Sequence, residues 1–147
     1  MTIEIEASTV ITSTLLAANR RFSFLPQLFG HPARLYLYGE NLVYAHLNAM
    51  CRAYSGGHWN YYELSNGGHF MAPASPARME LTVSGNYFSG EVSNVAAGIV
   101  ATLGALSQLN FEFNDTDAGD ALATKYHQLR DFAMAHEEAR QIRAAID

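Results

Sequence analysis

Ser65-Asn66-Gly67-Gly68 stands between two short aromatic-rich runs, Trp59 to Leu64 and His69 to Ala72, and this arrangement narrows the fold more than any other stretch of the chain. An Asn-Gly pair tolerates the positive φ values that a two-residue reverse turn demands, and the flanking runs favour extended backbone. The segment predicts a β-hairpin. Counting outward from Asn66-Gly67 pairs Ser65 with Gly68, Leu64 with His69 and Glu63 with Phe70, so Glu63 and His69 fall diagonally on opposite faces. That register argues against an acid–base dyad. Beyond Pro73 and Pro76, Met79, Leu81 and Val83 alternate as a further strand, and Gly85-Asn86 turns the chain into Tyr87 to Val92. Together these runs form an antiparallel meander of three or four strands.

Helical periodicity lies on both sides of the meander. Phe22, Leu25, Leu28 and Phe29 recur at three- and four-residue spacing, in a short helix that takes Pro26 in its first turn and ends at Gly30. Leu35 to Tyr38 fits either state, but from Gly39 onward Val43, Leu47, Met50 and Tyr54 trace one stripe. Ser93 or Asn94 can cap a helix whose apolar face runs from Val95 to Leu109, with Gly98 and Gly104 allowing close approach to the sheet. Asp115 or Asp117 opens the last long helix, with Leu122, Tyr126, Leu129 and Phe132 or Ala133 on its buried stripe, and a short turn from Glu137 to Ile146 follows. Segregated helices and strands of this kind indicate α+β packing: a single domain over 1–147, its meander packed against helices from both the N-terminal and the C-terminal segments, one sheet face covered. Residues 2–12 alternate weakly and read as an edge strand or an extended arm, so 1–20 are expected to be loosely ordered.

The charge balance limits the partners. A net charge of −5 at a pI near 5.6 lacks the basic footprint of a nucleic-acid binder, so no direct DNA binding is expected. Glu4 and Glu6 spoil a secretory signal, no apolar run is long enough for a membrane span, and the lone Cys51 cannot close an internal disulfide. The expected compartment is the cytoplasm.

Candidate chemistry is sparse. Of the six histidines, His58 and His69 flank the hairpin with Glu63 between them, yet none forms the i, i+4 ligand pair of a zinc hydrolase, so no metal site is expected. Ser55-Gly56-Gly57 and Asn66-Gly67-Gly68 lack the lysine and the strand-loop-helix order of a phosphate loop. Cys51 lies on a core stripe with no base beside it. The distinctive feature is a ring set, Tyr54, Trp59, Tyr61, Tyr62, Phe70 and Tyr87. Packing accounts for it most simply; as a docking surface it would comprise Trp59, Tyr61, Tyr62, Glu63, Asn66, Gly67, Gly68 and Phe70. A second candidate contact is acidic: Asp115, Asp117 and Asp120 near a helix start, with Asp131, Glu137, Glu138 and Asp147 towards the C-terminus. Acids at helix starts also have an ordinary role as dipole partners.

FLPQLFG from Phe24, NLVYAHLNAMC from Asn41, YSGGHWNYYELSNGGHFMAP from Tyr54, AAGIVATLGALSQL from Ala96 and YHQLRDFAMAH from Tyr126 resemble, in order, the blocks of the ArdB/KlcA antirestriction proteins. The likeness covers most of residues 22–147, and its core, YELSNGG flanked by aromatics, is long and unusual. It implies a mobile-element protein that protects incoming DNA from the host's type I restriction enzymes, with no enzymatic activity and no cofactor. The implied partner is the type I restriction-modification complex or an associated host factor. Imitation of DNA is a tempting mechanism, but a domain of this size spans roughly 40 Å, along which duplex DNA carries about 20 phosphate charges. A net charge of −5 falls far short of that, leaving at most a local acidic contact. Two other readings compete: a small metal-dependent hydrolase acting on DNA or nucleotides through Glu63, His58 and His69, and a generic interaction module of a mobile element.

Overall fold

The computed structural model describes residues 10–147. Its hairpin pairs β2 (Trp59–Leu64) with β3 (His69–Pro73), but the register is one residue away from the sequence expectation: Glu63 lies opposite His69, Tyr62 opposite Phe70 and Tyr61 opposite Met71. The loop holds three residues rather than two. The Leu64 N–H donates to the Gly68 carbonyl at 2.8 Å, the Gly67 N–H donates back to the Leu64 carbonyl at 3.0 Å, and Gly67 alone in the loop takes a positive φ, 94°. Asn66 has no left-handed role, because its side-chain oxygen accepts the Gly68 N–H at 3.0 Å. One added loop residue moves every pair by one position, which brings Glu63 and His69 onto the same face.

A three-residue strand, β1 (Ser13–Leu15), adds antiparallel to the outer side of β2, with Thr14 opposite Glu63. Of the 2–12 stretch expected as strand or arm, residues 1–9 lie outside the described residues, and the strand begins just after it. The meander does not continue past β3. Between Pro73 and Ala77 the two prolines supply no N–H for a ladder, and β4 (Arg78–Val83) and β5 (Phe88–Ser93) pair only with each other in a second, two-stranded sheet. Met79 and Leu81 face inward as the alternation predicts, whereas Tyr87, with φ 59°, belongs to the turn and is exposed.

The α+β order is the one observed. A 3-10 turn over Ala18–Ser23 runs into α1 (Phe24–Phe29), which Gly30 ends with φ 89° and an N–H donated to the Pro26 carbonyl. Helix α2 (Ala33–Met50) starts six residues before Gly39, and its buried stripe is Leu35, Gly39, Val43 and Leu47. Gly39 is not a boundary but a notch, since a Cβ there would come within 2.5 Å of the Phe29 ring. Ser93 caps α3 (Asn94–Glu112) by accepting the Ala96 N–H at 3.0 Å, and Thr116 caps α4 (Asp117–Met134) by accepting from Gly119. The chain closes with α5 (Ala139–Ile146).

Helix α3 seals the outer edge of β3. The Thr102 hydroxyl accepts from the Met71 N–H at 3.3 Å and donates to the Met71 carbonyl at 3.2 Å, so the outward backbone groups of Met71 are satisfied without another strand. Gly98 permits the approach: a Cβ there would stand 2.3 Å from the Ala72 Cβ. Gly104, expected to face the sheet, instead faces His46 of α2. Both faces of the hairpin are covered rather than one. Phe24 of α1 stacks on Tyr61 at 4.0 Å between centroids, and on the opposite face Phe132 of α4 stacks on Phe70, which stacks on Tyr62 at 4.5 Å. Every residue of β3 is buried in consequence. No helix among the described residues is long and apolar enough to cross a membrane.

Candidate functional site

The hairpin end carries both the unusual motif and the densest group of ionisable side chains. Asn66 Nδ2 donates to the Gln128 carbonyl at 2.9 Å, Gln128 Nε2 donates to the Asn66 carbonyl at 3.0 Å, and the Lys125 ammonium donates to the Gly67 carbonyl at 2.8 Å. Lys125 and Gln128 are three positions apart on α4, so they share one helix face. Gly68 fits closely against that face, where a Cβ would stand 3.0 Å from the Gln128 Cβ and from Leu64 Cδ1. Thus Asn66, Gly67 and Gly68 both turn the chain and fasten the hairpin to α4.

Lys125 Nζ also lies 3.3 Å from His69 Nδ1. An ammonium has no lone pair to offer, so Nδ1 is the acceptor and the proton of the neutral ring sits on Nε2. Nε2 points towards Glu63 Oε2 at 4.0 Å, beyond hydrogen-bond length, and the same carboxylate oxygen accepts from Arg20 at 3.2 Å. Burial, reinforced by the Lys125 charge and opposed by Glu63, pushes the His69 pKa down to about 4. The ring is therefore neutral at pH 7, and its contact with Glu63 is not an ion pair although the distance alone would permit one. Burial likewise lowers the pKa of Lys125, with Glu63 opposing. The result is a row of alternating character: ammonium, neutral imidazole, carboxylate, guanidinium.

This row is poorly suited to metal chemistry. A cation at 3.3 Å occupies the approach to His69 Nδ1, and His58 is exposed just before β2, separated from Glu63 by about 16 Å of extended chain. Among the described residues no group of three or more His, Cys, Asp or Glu side chains is placed to hold a metal ion. Cys51 is buried.

The remaining candidates separate. Trp59, Tyr61 and Phe70 are buried, with relative exposures of 5%, 8% and 0%, and Trp59 Nε1 donates to the Tyr54 hydroxyl at 2.7 Å. Arg21 covers the Tyr61 ring at 4.1 Å. Tyr62, Glu63 and Asn66 are half-buried, Gly67 is exposed, and Tyr87 stands 94% exposed away from the other rings in the β4–β5 turn. The outward-facing half of the ring set that strand alternation predicts is therefore missing, because helices cover both faces. Of the acids, Glu138 is structural: its carboxylate accepts from the Ser93 N–H at 2.9 Å and from the Ser93 hydroxyl. Asp147 lies 3.7 Å from Arg130. Asp115, Asp117, Asp120, Asp131 and Glu137 are exposed. Sequence reasoning missed Lys125, Gln128 and Arg20, whose only advance signal was the three-residue spacing of the first two on a helix face.

Comparison with known proteins agrees with this architecture. The family model described as antirestriction protein matches residues 52–147. An antirestriction protein KlcA from Escherichia coli is 52% identical over 137 residues, covering 93% of this chain and 95% of that protein, and a second KlcA from the same species is 46% identical over 144 residues, covering 98% and 99%. An uncharacterised Escherichia coli K12 protein, YafX, is 38% identical over 141 residues, covering 93% and 88%. A solved structure from work on KlcA and ArdB matches with a TM-score of 0.84 at 52% identity, covering 93% of this chain and 95% of that one; those proteins are described as having a novel fold and antirestriction activity against type I DNA restriction systems in vivo but not in vitro. Agreement in sequence, length and fold leads to one conclusion: the chain belongs to the antirestriction protein family.

Proposed function

We propose that this protein protects incoming mobile-element DNA from type I restriction by contacting a protein, either the restriction complex or a host factor that works with it, and that it acts in the cytoplasm as a single non-catalytic domain without a cofactor. The supporting observation is the near-full-length match to a relative active against type I systems in vivo but not in vitro. Activity that needs the cell fits an inhibitor that works through a host factor missing from a purified reaction, or on a state of the restriction complex that such a reaction does not reproduce. A net charge of −5 supports neither direct DNA binding nor wholesale imitation of a duplex. The metal-hydrolase alternative loses support from the position of Lys125, whose charge faces the imidazole nitrogen that a metal would need.

Phage-plating efficiency in cells with and without a type I system tests the proposal. Expression is expected to raise plating only where the system is present. Equal plating with and without expression in restricting cells sinks it.

A further inference from the structure

A cavity of about 430 Å³ opens where α2, the β4–β5 turn, α3, α4 and the end of α5 converge. Val100, Leu103 and Ile146 form its apolar side, and His46, Ser107, Gln108 and Tyr126 bring polar atoms to it. Among the described residues no Asp, Glu, Lys or Arg lines it. The walls are fastened to one another: Asn86 Nδ2 donates to the Ala145 carbonyl, tying the β4–β5 turn to the end of α5, and His46 of α2 bonds to Gln108 of α3 at 3.2 Å. A volume within the roughly 300–1,000 Å³ of small-molecule sites, a mixed lining without charge and walls held in place are the properties of a preformed ligand pocket.

A chain of hydrogen bonds that starts at a carboxylate fixes the polarity of one lining group. The ionised Glu112 only accepts, and both the Tyr38 hydroxyl and Gln108 Nε2 donate to it, the latter at 3.0 Å. Gln108 therefore turns Oε1 towards His46, and because Oε1 accepts, the neutral ring carries its proton on Nε2 and keeps a lone pair on Nδ1. Among the described residues no donor meets that lone pair. His46 and Gly104 line the cavity side by side, and the missing side chain keeps the approach clear, since a Cβ at Gly104 would stand 2.8 Å from Nδ1. We propose that this cavity binds a compact, uncharged small molecule that is apolar over most of its surface and donates one N–H or O–H to His46 Nδ1. A charged ligand would lose its hydration without gaining a counter-ion, and a wholly apolar one would leave the lone pair unmet. The inference does not depend on the protein-contact reading above.

The probe is indole, an apolar ring system with a single N–H donor, titrated into the full chain and followed through the NMR shift of the Gly104 amide. Saturable binding with a Kd on the order of 0.1–1 mM is expected for a ligand of so few atoms. Benzofuran, in which oxygen replaces the N–H, should bind at least about five-fold more weakly, and so should an indole carboxylate against the matching neutral carboxamide. His46→Phe, which keeps a ring but removes the acceptor, should erase the preference for indole over benzofuran. Ser107→Trp, which fills the cavity from an exposed position on α3, should abolish saturable binding of both. The two substitutions lie on different helices, so either one decides the matter if the other prevents folding. The proposal is overturned if indole shows no saturable binding, if benzofuran binds as well as indole, or if the carboxylate binds as well as the carboxamide. It is equally overturned by a preference for indole that survives His46→Phe, or by indole binding that survives Ser107→Trp.

Discussion

Asn66 and Gln128 exchange hydrogen bonds, each side-chain amide donating to the other residue's backbone carbonyl across 62 positions of sequence. Asn66 accepts the Gly68 N–H as well, so one side chain both shapes the loop and fastens it to α4. Replacing it with Ala leaves the Gly68 N–H without its acceptor and removes the extra bond to the Gln128 carbonyl, each worth about 1–1.5 kcal/mol. Asn66→Ala is expected to lower stability by about 2–3 kcal/mol, read as a lower urea midpoint with an unchanged slope. The double variant with Gln128→Ala should lose less than the sum of the two single changes, because the two bonds fasten the same pair of segments and losing either loosens the other.

Gly98 should not tolerate alanine, although alanine is the better helix former by about 1 kcal/mol. The new methyl would meet the Ala72 Cα and the Met71 carbonyl at 2.4 and 2.5 Å, both backbone atoms that cannot step aside. A net loss of about 1–3 kcal/mol is expected, which thermal unfolding of a chain this size reports as about 2–4 °C per kcal/mol. Gly104→Ala is the internal comparison. There the new Cβ meets His46 Nδ1 at 2.8 Å, on a side chain able to rotate, so the cost should be smaller. Equal losses at the two sites would refute the close-approach argument.

His69 makes stability depend on pH in a defined window. Its folded pKa of about 4 lies below the unfolded value of 6.5, so as pH falls the unfolded chain takes up the proton first. The contribution is therefore complete above about pH 6.5 and is lost as pH falls towards 4. A shift of this size corresponds to about 3 kcal/mol over that window. Urea midpoints at a series of pH values should fall more steeply for the wild type than for His69→Gln. Parallel curves would mean that His69 is not held neutral.

Glu138 ties the start of α5 to the cap of α3 through Ser93. Glu138→Ala removes a charge-assisted acceptor from the Ser93 N–H and hydroxyl, with an expected cost of about 1.5–3 kcal/mol. Hydrogen exchange should quicken at the first amides of α3 and throughout α5 while the β2–β3 hairpin keeps its protection. Uniform quickening across the chain would indicate global destabilisation instead.

Much of this architecture is legible in the sequence wherever the deciding contact is local. Ser93 announces its cap, Gly30 ends its helix, and the alternation of Met79 and Leu81 marks their strand. The one-residue register error at the hairpin has a non-local source: the direction of the Asn66 side chain depends on Gln128, and that direction selects a three-residue loop over a two-residue one. Gly39 misleads for a similar reason, since its compatibility with the middle of a helix is decided by the Phe29 ring. Strand alternation predicts outward rings at the candidate site, but it carries no information about Phe24 and Phe132 arriving on opposite faces. Lys125 is the clearest omission: a lone lysine on a helix gives no sign that it will meet a buried imidazole.

Thr102 has a consequence for how the protein behaves at high concentration. β3 is apolar and carries no charge, its terminal histidine being neutral, and a strand of that composition with open backbone groups is a template on which chains add to one another. One hydroxyl closes that template by occupying the outward groups of Met71. Thr102→Val, nearly identical in shape, should therefore show its defect as light scattering and thioflavin fluorescence on prolonged warming of concentrated protein. On that outcome, a single hydroxyl is what keeps the β3 edge from pairing between copies.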